Sequence, residues 1–182
     1  MKSFFLTLFL VCTSFVFAQN EKEKIQWDKN TPLTWSDFRG EPSSSSDFKA
    51  STNSGMSISW SLSKSGNKVV LEDYEVIANF YPDQSWKKET IKKKEYILGH
   101  EQLHFDISEL HARKLRKALA GYEGGKNIQK DLTAIYRKYE KERVRMQNMF
   151  DAESVHSRVE EEELKWRRIL KQQLEKYQNY AR

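Results

Sequence analysis

The chain has 182 residues, 38% of them hydrophobic and 13% aromatic, with 31 Lys and Arg against 26 Asp and Glu. This length and aromatic content favour one folded domain and exclude an intrinsically disordered chain. The single cysteine excludes an internal disulfide framework, and the mild basic excess, interleaved with acidic residues, does not indicate a nucleic-acid partner.

The first 18 residues have the pattern of a signal peptide. Lys2 precedes an apolar run from Ser3 to Phe17, and the small residue Ala18 ends a segment suited to cleavage. The run of about 15 residues is shorter than the about 20 residues of a membrane-spanning helix, and an uncleaved anchor is the alternative. We therefore expect export to the periplasm or the medium, a single domain over 19–182, and no stable membrane insertion after cleavage.

Alternation of apolar residues with serine predicts antiparallel strands in the first half of the chain. From Gly55 to Ser63 large apolar residues alternate with serines, the pattern of a half-buried strand; these residues are Met56, Ile58, Trp60 and Leu62. Gly66 and Asn67 indicate a turn, and Val69 to Phe80 supplies one long or two short partner strands. A segment with buried aromatic residues, Ile25 to Phe38, is expected before them.

Helical periodicity follows the strands. We expect a first helix from Lys87 to Ala120, a second from about Asn127 to Met149, and a short polar connection over Asp151–Ser157. A third helix is expected to begin near the acidic run Glu160–Glu163, because carboxylates favour the positive end of a helix dipole. Strands followed by helices predict an α+β domain: a small antiparallel sheet of two to four strands and then three long helices, with a zincin-like active helix.

The first predicted helix contains the motif H-E-x-x-H, as His100-Glu101-Gln102-Leu103-His104. Residues four apart on a helix differ by about 40° in azimuth and about 6 Å in rise, so the two imidazoles converge on one point. Neutral imidazole nitrogens are ligands for Zn²⁺. Glu101 is turned by about 100° from His100, so we expect it to flank the metal and to act as general base toward a zinc-bound water. The predicted cofactor is therefore Zn²⁺, and the predicted reaction is hydrolysis of a peptide bond.

A catalytic zinc site needs a third protein ligand. His111 lies about 10.5 Å further along the helix axis than His104, too far for one metal, and is expected to line the groove or the surface. His156 lies in the predicted connection between helices, where it can reach back to the motif. We predict His156 as the third ligand, with Asp151 and Glu153 as carboxylate alternatives or as residues that orient an imidazole.

Four segments of the sequence resemble a family of exported bacterial proteins, domain of unknown function 922, which is described as predicted secreted zinc-dependent proteases. The segments are Leu33–Phe38, Ala78–Trp86, Gly99–Ile107 and Phe150–Ser157. The resemblance covers nearly all of the chain that follows the predicted signal peptide.

This resemblance implies that His100, His104 and His156 bind zinc and that Glu101 is the general base. Phe150 stands where we expect the family to carry a tyrosine. If that tyrosine stabilises the oxyanion, this chain must use another donor or react more slowly.

The expected partner is a peptide or protein substrate that pairs with an edge strand, and Val69–Phe80 is predicted as that edge. The alternative is an ordinary sheet that covers the helix. Two other functions are kept open. One is a non-catalytic exported module that binds a cell-envelope partner and has a structural or vestigial metal site; the other is an amide-bond hydrolase of the cell wall, which differs from the peptidase in its substrate.

Overall fold

The computed structural model describes residues 23–66 and 68–182. The signal peptide predicted over 1–18 and the domain boundary at residue 19 lie outside these residues. Among the helices of the described ranges, none is long and apolar enough to cross a membrane.

Within the described residues, five strands form two antiparallel sheets. The larger sheet has the order β1-β4-β3, and the smaller one pairs β2 with β5. The strands are β1 (Ile25–Gln26), β2 (Ala50–Ser51), β3 (Ser54–Ser65), β4 (Lys68–Phe80) and β5 (Trp86–Lys87). Gly66 in the β3–β4 turn has a φ of 61°, which glycine adopts without strain. The predicted hairpin is therefore confirmed.

Strand β4 is the central strand of the larger sheet. β3 pairs with it along its length, and β1 pairs with Asn79 and Phe80 on its other side. The sequence predicts Val69–Phe80 as a free edge strand next to the helix of the motif. This prediction was wrong at the Phe80 end, because β1 pairs there and the ring of Phe80 packs against Phe105. The strand at the edge of the smaller sheet is β2, because β5 also bridges to Gly40.

Three α-helices follow the sheets in the described part of the chain, as predicted, and the α+β class is confirmed. They are α1 (Lys94–Ala120), α2 (Ile128–Ser154) and α3 (Glu160–Lys176). The predicted start of α1 at Lys87 was too early, because Trp86 and Lys87 pair with β2 instead. The predicted end of α2 at Met149 was also too early, since the fully buried Phe150 and Ser154 continue its packed face for a further turn.

Helix α1 is the central element, with apolar packing on two faces. On one face Phe105, Ala112 and Leu115 pack with the sheet and the first turns of α2. On the other face a second cluster joins α1 to the end of α2 and to α3; its buried members are Leu103, Ile107, Leu110, Phe150, Trp166 and Leu170. The H-E-x-x-H turn of α1 is thus fixed by tertiary packing on both sides.

Candidate metal centre

His100 and His104 project from adjacent turns of α1 toward the end of α2. Their Nε2 atoms lie 3.3 Å apart, and their ring planes meet at 85°. The ring of Phe150 packs against both imidazoles, at 4.5 Å from His100 and 5.1 Å from His104 between ring centroids. The two nitrogens therefore approach one point from different directions, as the spacing of the motif predicts.

Asp151 supplies a third possible ligand atom from α2. Its Oδ1 lies 3.5 Å from His100 Nε2 and 3.2 Å from His104 Nε2. These three side chains form a compact group, in which the ligand atoms lie within 4.8 Å of one another. The extension of α2 beyond Met149 makes this possible, because it places Asp151 on a rigid helix instead of in a loop.

The dimensions of this triangle fit zinc. Four ligands at about 2.0–2.1 Å in a tetrahedron are separated from one another by about 3.3 Å. The three observed separations are 3.2, 3.3 and 3.5 Å. Two imidazole nitrogens and a carboxylate oxygen are also a ligand set that catalytic zinc sites use. His100, His104 and Asp151 therefore fit a zinc ion in both distance and chemistry.

His156 adjoins the compact group through Asp151. Its Nδ1 lies 3.4 Å from Asp151 Oδ1, and its side chain is 42% exposed. It belongs to a turn of three consecutive residues with positive φ, from Val155 to Ser157, and its ring stacks on Phe48 with centroids 4.3 Å apart. Its role as the third zinc ligand stays a prediction.

Glu101 is buried beside the histidine pair, with 4% of its surface exposed. Its Oε2 has no hydrogen-bond partner among the described residues. The backbone carbonyl of Glu101 accepts a hydrogen bond from the hydroxyl of Thr52, which ties this turn of α1 to the segment after β2. A buried carboxylate oxygen that no protein group satisfies is costly unless it has a partner from the solvent or a ligand.

Each imidazole is also held on its far side. His100 Nδ1 lies 2.9 Å from Oε2 of Glu163 on α3, and His104 Nδ1 contacts the side-chain oxygen of Gln147 on α2. Gln147 Nε2 donates a second hydrogen bond to the carbonyl of His104. Neither residue is predicted as a site residue from the sequence: Glu163 is assigned there to the acidic start of α3, and Gln147 is not singled out. Only the four-residue spacing between Gln147 and Asp151 could have suggested that the two share a face.

The electrostatics of the group favour positive charge. Burial alone would lower the pKa of His100, but hydrogen bonds with Asp151 and Glu163 outweigh it and raise the pKa to about 9. Burial would likewise raise the pKa of Asp151, but hydrogen bonds with His100 and His104 bring it below its usual range. The surroundings that retain a proton on His100 also suit a divalent cation, which would replace that proton.

His111 and Glu153, the two other residues considered from the sequence, do not belong to the compact group. His111 was expected to line the groove or the surface, which was wrong: it is buried in the core, where its Nδ1 bonds to the carbonyl of Ile107. Glu153 accepts a hydrogen bond from Trp166 Nε1 and forms an ion pair with Lys165. It is not part of the compact group.

A groove of about 560 Å³ opens onto the histidine pair, and we call it the histidine groove. The segment 47–54 forms one wall, and α1 and the end of α2 form the others. Lys49, Arg143 and Arg158 are the basic side chains along its lining.

The comparisons with known proteins give one match. A family described as "Bacterial protein of unknown function (DUF922)" matches residues 36–157, a segment that includes the H-E-x-x-H motif, Asp151 and His156. No curated protein and no solved structure gives a significant match. Because the matched segment is more than half of the sequence, the chain belongs to the bacterial family of unknown function DUF922.

Proposed function

We propose that this protein is an exported zinc-dependent hydrolase that cleaves peptide bonds. One observation supports the proposal above all: the ligand atoms of His100, His104 and Asp151 form a triangle with sides of 3.2 to 3.5 Å, beside the buried Glu101, whose Oε2 has no hydrogen-bond partner within residues 23–66 and 68–182. Export rests on the signal-peptide pattern of residues 1–18.

In this proposal His100, His104 and Asp151 hold the zinc ion, and His156 is the further donor within reach. When bound, zinc supplies a water of lowered pKa and a positive charge that polarises a carbonyl. The role of the protein is to keep the ligand atoms fixed. The ring of Phe150 packs against both imidazole rings and restrains them, which limits the reorganisation needed on metal binding.

Glu101 is the proposed general base. Glu101 lines the histidine groove together with His100 and His104, so a water bound at these histidines would lie near its carboxylate. Oε2 would accept a proton from that water and later deliver it to the departing amine. Because the carboxylate is buried, the surrounding protein strengthens its interaction with charge that develops nearby.

The edge of β2 is the proposed binding surface for an extended substrate. Lys88 N donates to Lys49 O at 2.8 Å, and Ser51 pairs with Trp86. Backbone groups in an antiparallel strand alternate in direction, so those of Ala50 face away from β5, and Ala50 is one of the residues that line the histidine groove. A peptide that pairs with this edge would run past the metal ligands.

The competing proposal from the sequence is a non-catalytic module that binds a cell-envelope partner, and a cell-wall amidase differs only in its substrate. The variant Glu101→Gln separates catalysis from binding, because it removes the base but keeps the volume of the side chain. The matched control is Glu95→Gln, an exposed position on the same helix. Zinc content and cleavage of a peptide library and of purified peptidoglycan are measured for the wild type and both variants.

We expect one zinc per wild-type chain, and equal zinc in both variants. Turnover should fall by about 10²–10⁴-fold in Glu101→Gln and stay unchanged in Glu95→Gln. Wild-type protein that takes up no zinc, or Glu101→Gln that turns over at the wild-type rate, would overturn the proposal. Cleavage of peptidoglycan alone would assign the amidase.

A further inference from the structure

Glu163 is a fully buried carboxylate in the first turn of α3. Its Oε2 lies 2.9 Å from His100 Nδ1, and its Oε1 accepts a hydrogen bond from Arg167 Nη2 at 3.0 Å. It lies outside the segment that matches the family, which ends at residue 157. Nothing in the sequence motif points to it.

The burial of Glu163 distinguishes it from the rest of its acidic run. Glu160 pairs with Lys93 and Glu162 with Lys165, in each case at the surface. Favourable interaction with the helix dipole accounts for carboxylates at the surface of this turn. It does not account for a carboxylate with no solvent contact while the next residue, Leu164, is 48% exposed. The buried position of Glu163 is therefore explained by its hydrogen bonds with His100 and Arg167.

A close approach of Arg167 holds Glu163 in position. A Cβ atom on Gly99 would lie 2.3 Å from Arg167 Nη2 and 2.9 Å from its Cζ. The absence of a side chain directly before His100 thus lets the guanidinium lie against α1. There it fixes the carboxylate that faces the imidazole, since the pair Arg167–Glu163 spans one turn of α3.

We infer that Glu163 is the positioning residue for His100, an inference that rests on the proposed zinc function. By accepting the Nδ1–H of His100, the carboxylate leaves Nε2 as the ligand atom and fixes the plane of the ring. A carboxylate partner also makes the imidazole nitrogen a stronger ligand for a metal than a neutral partner does. His104 has such a neutral partner in Gln147, so the two ligands are held unequally.

Two variants of Glu163 test this inference against a matched control. Glu163→Met removes the acceptor and fills the buried space, and Glu163→Gln keeps a weaker, neutral acceptor. Glu162→Gln removes the same charge from the same turn of α3 without touching His100. The zinc dissociation constant is measured for each protein by competition with a chelator, and the metal-free melting temperature checks the fold.

We expect Glu163→Met to weaken zinc binding by about 10–100-fold, Glu163→Gln to weaken it less, and Glu162→Gln to leave it unchanged. In the zinc-loaded protein the Nδ1–H proton resonance of His100 should move upfield in Glu163→Met, a change that a purely structural role would not produce. If Glu163→Met does not fold, the zinc affinity and the His100 Nδ1–H resonance of Glu163→Gln test the inference instead.

Wild-type affinity and an unshifted resonance in the Glu163 variants would overturn the inference and leave the proposed function intact. A wild-type protein that binds no zinc would overturn the proposed function, and the inference with it. The two failures are therefore distinguishable from the wild-type measurement alone.

Discussion

Asp151 Oδ1 lies 3.2 Å from His104 Nε2, across the packed interface of α2 and α1. One turn earlier on α2, Gln147 contacts both the ring and the backbone carbonyl of His104. Two successive turns of α2 therefore contact His104, and Asp151 also lies 3.5 Å from His100 Nε2. Rigid helices on both sides of the centre suit a site that must hold ligand atoms within a few tenths of an ångström.

Asp151→Asn should weaken zinc binding by at least the 10–100-fold that is typical for loss of a residue that only orients a ligand. The amide is a neutral and poorer ligand, and it cannot balance the charge of the metal. Chelator competition on purified protein measures the change. His156→Ala, tested in parallel, should have the smaller effect, because His156 Nδ1 adjoins the group only through Asp151 Oδ1.

The control for this comparison is Asp47→Asn, an exposed carboxylate on the wall of the same groove. It changes the net charge by the same amount, so its zinc affinity should match that of the wild type. A larger loss in His156→Ala than in Asp151→Asn would assign the third ligand to His156, as the sequence predicts.

Glu109→Gln should reduce the free energy of unfolding by about 3–5 kcal/mol, although Glu109 lies on the helix that carries the H-E-x-x-H motif. Glu109 is buried and accepts hydrogen bonds from Arg113 at 2.8 Å and Arg116 at 3.1 Å. Its neutralisation leaves two buried guanidinium groups without their carboxylate. Chemical denaturation measures the loss, and Glu162→Gln at the exposed pair with Lys165 should cost less than about 1 kcal/mol.

This prediction separates structure from function on α1. The zinc affinity of the folded Glu109→Gln protein should equal that of the wild type, because the Glu109 carboxylate is engaged by arginines and is not part of the metal group. A loss of zinc affinity without loss of stability would contradict this assignment.

His111 should make stability depend on pH. Burial, aided by the nearby charges of Lys114 and Arg143, lowers the pKa of His111 from 6.5 to about 4. Between these two pH values His111 therefore binds more protons in the unfolded chain than in the folded one. Its contribution to the free energy of unfolding is complete above pH 6.5 and is lost as the pH falls toward 4. The loss for this one group is about 3 kcal/mol.

The measurement is denaturation of metal-free protein at pH 7 and at pH 4.5. Wild-type protein should lose more stability between these conditions than His111→Leu, which has no ionisable group at this position. Equal losses in the two proteins would show that His111 does not titrate with folding.

Peptide cleavage should respond to backbone N-methylation with a period of two residues. Backbone groups of an extended chain face alternate edges, so methylation of an amide that pairs with the edge of β2 should raise KM, and methylation of the next amide should not. The comparison uses a peptide that the wild-type protein cleaves, methylated at successive positions. Equal effects at neighbouring positions would exclude pairing along this edge.

The order of elements was predictable from the sequence because period and composition are local properties. The alternation after Gly55 and the helical stripe around Leu103 each report one buried face. The end of α2 was not predictable in this way. Three of the four residues from Asp151 to Ser154 are polar, and the burial of Phe150 and Ser154 that supports the last turn of the helix depends on tertiary packing.

The histidine pair was likewise predictable, since it rests on a spacing within one helix. The partners of the pair come from other elements: Glu163 is 63 positions and Gln147 43 positions from its imidazole. Such contacts depend on how helices pack, and no periodicity encodes them. The same reason explains why β4 was taken for the edge, because strand order is not a local property.

The most direct test of the central claim is a crystal structure of the zinc-loaded protein, with zinc located by its anomalous scattering. We predict one zinc ion bound to Nε2 of His100, Nε2 of His104 and a carboxylate oxygen of Asp151. Zinc at another position, or imidazoles that turn their Nδ1 atoms to the metal, would contradict the account.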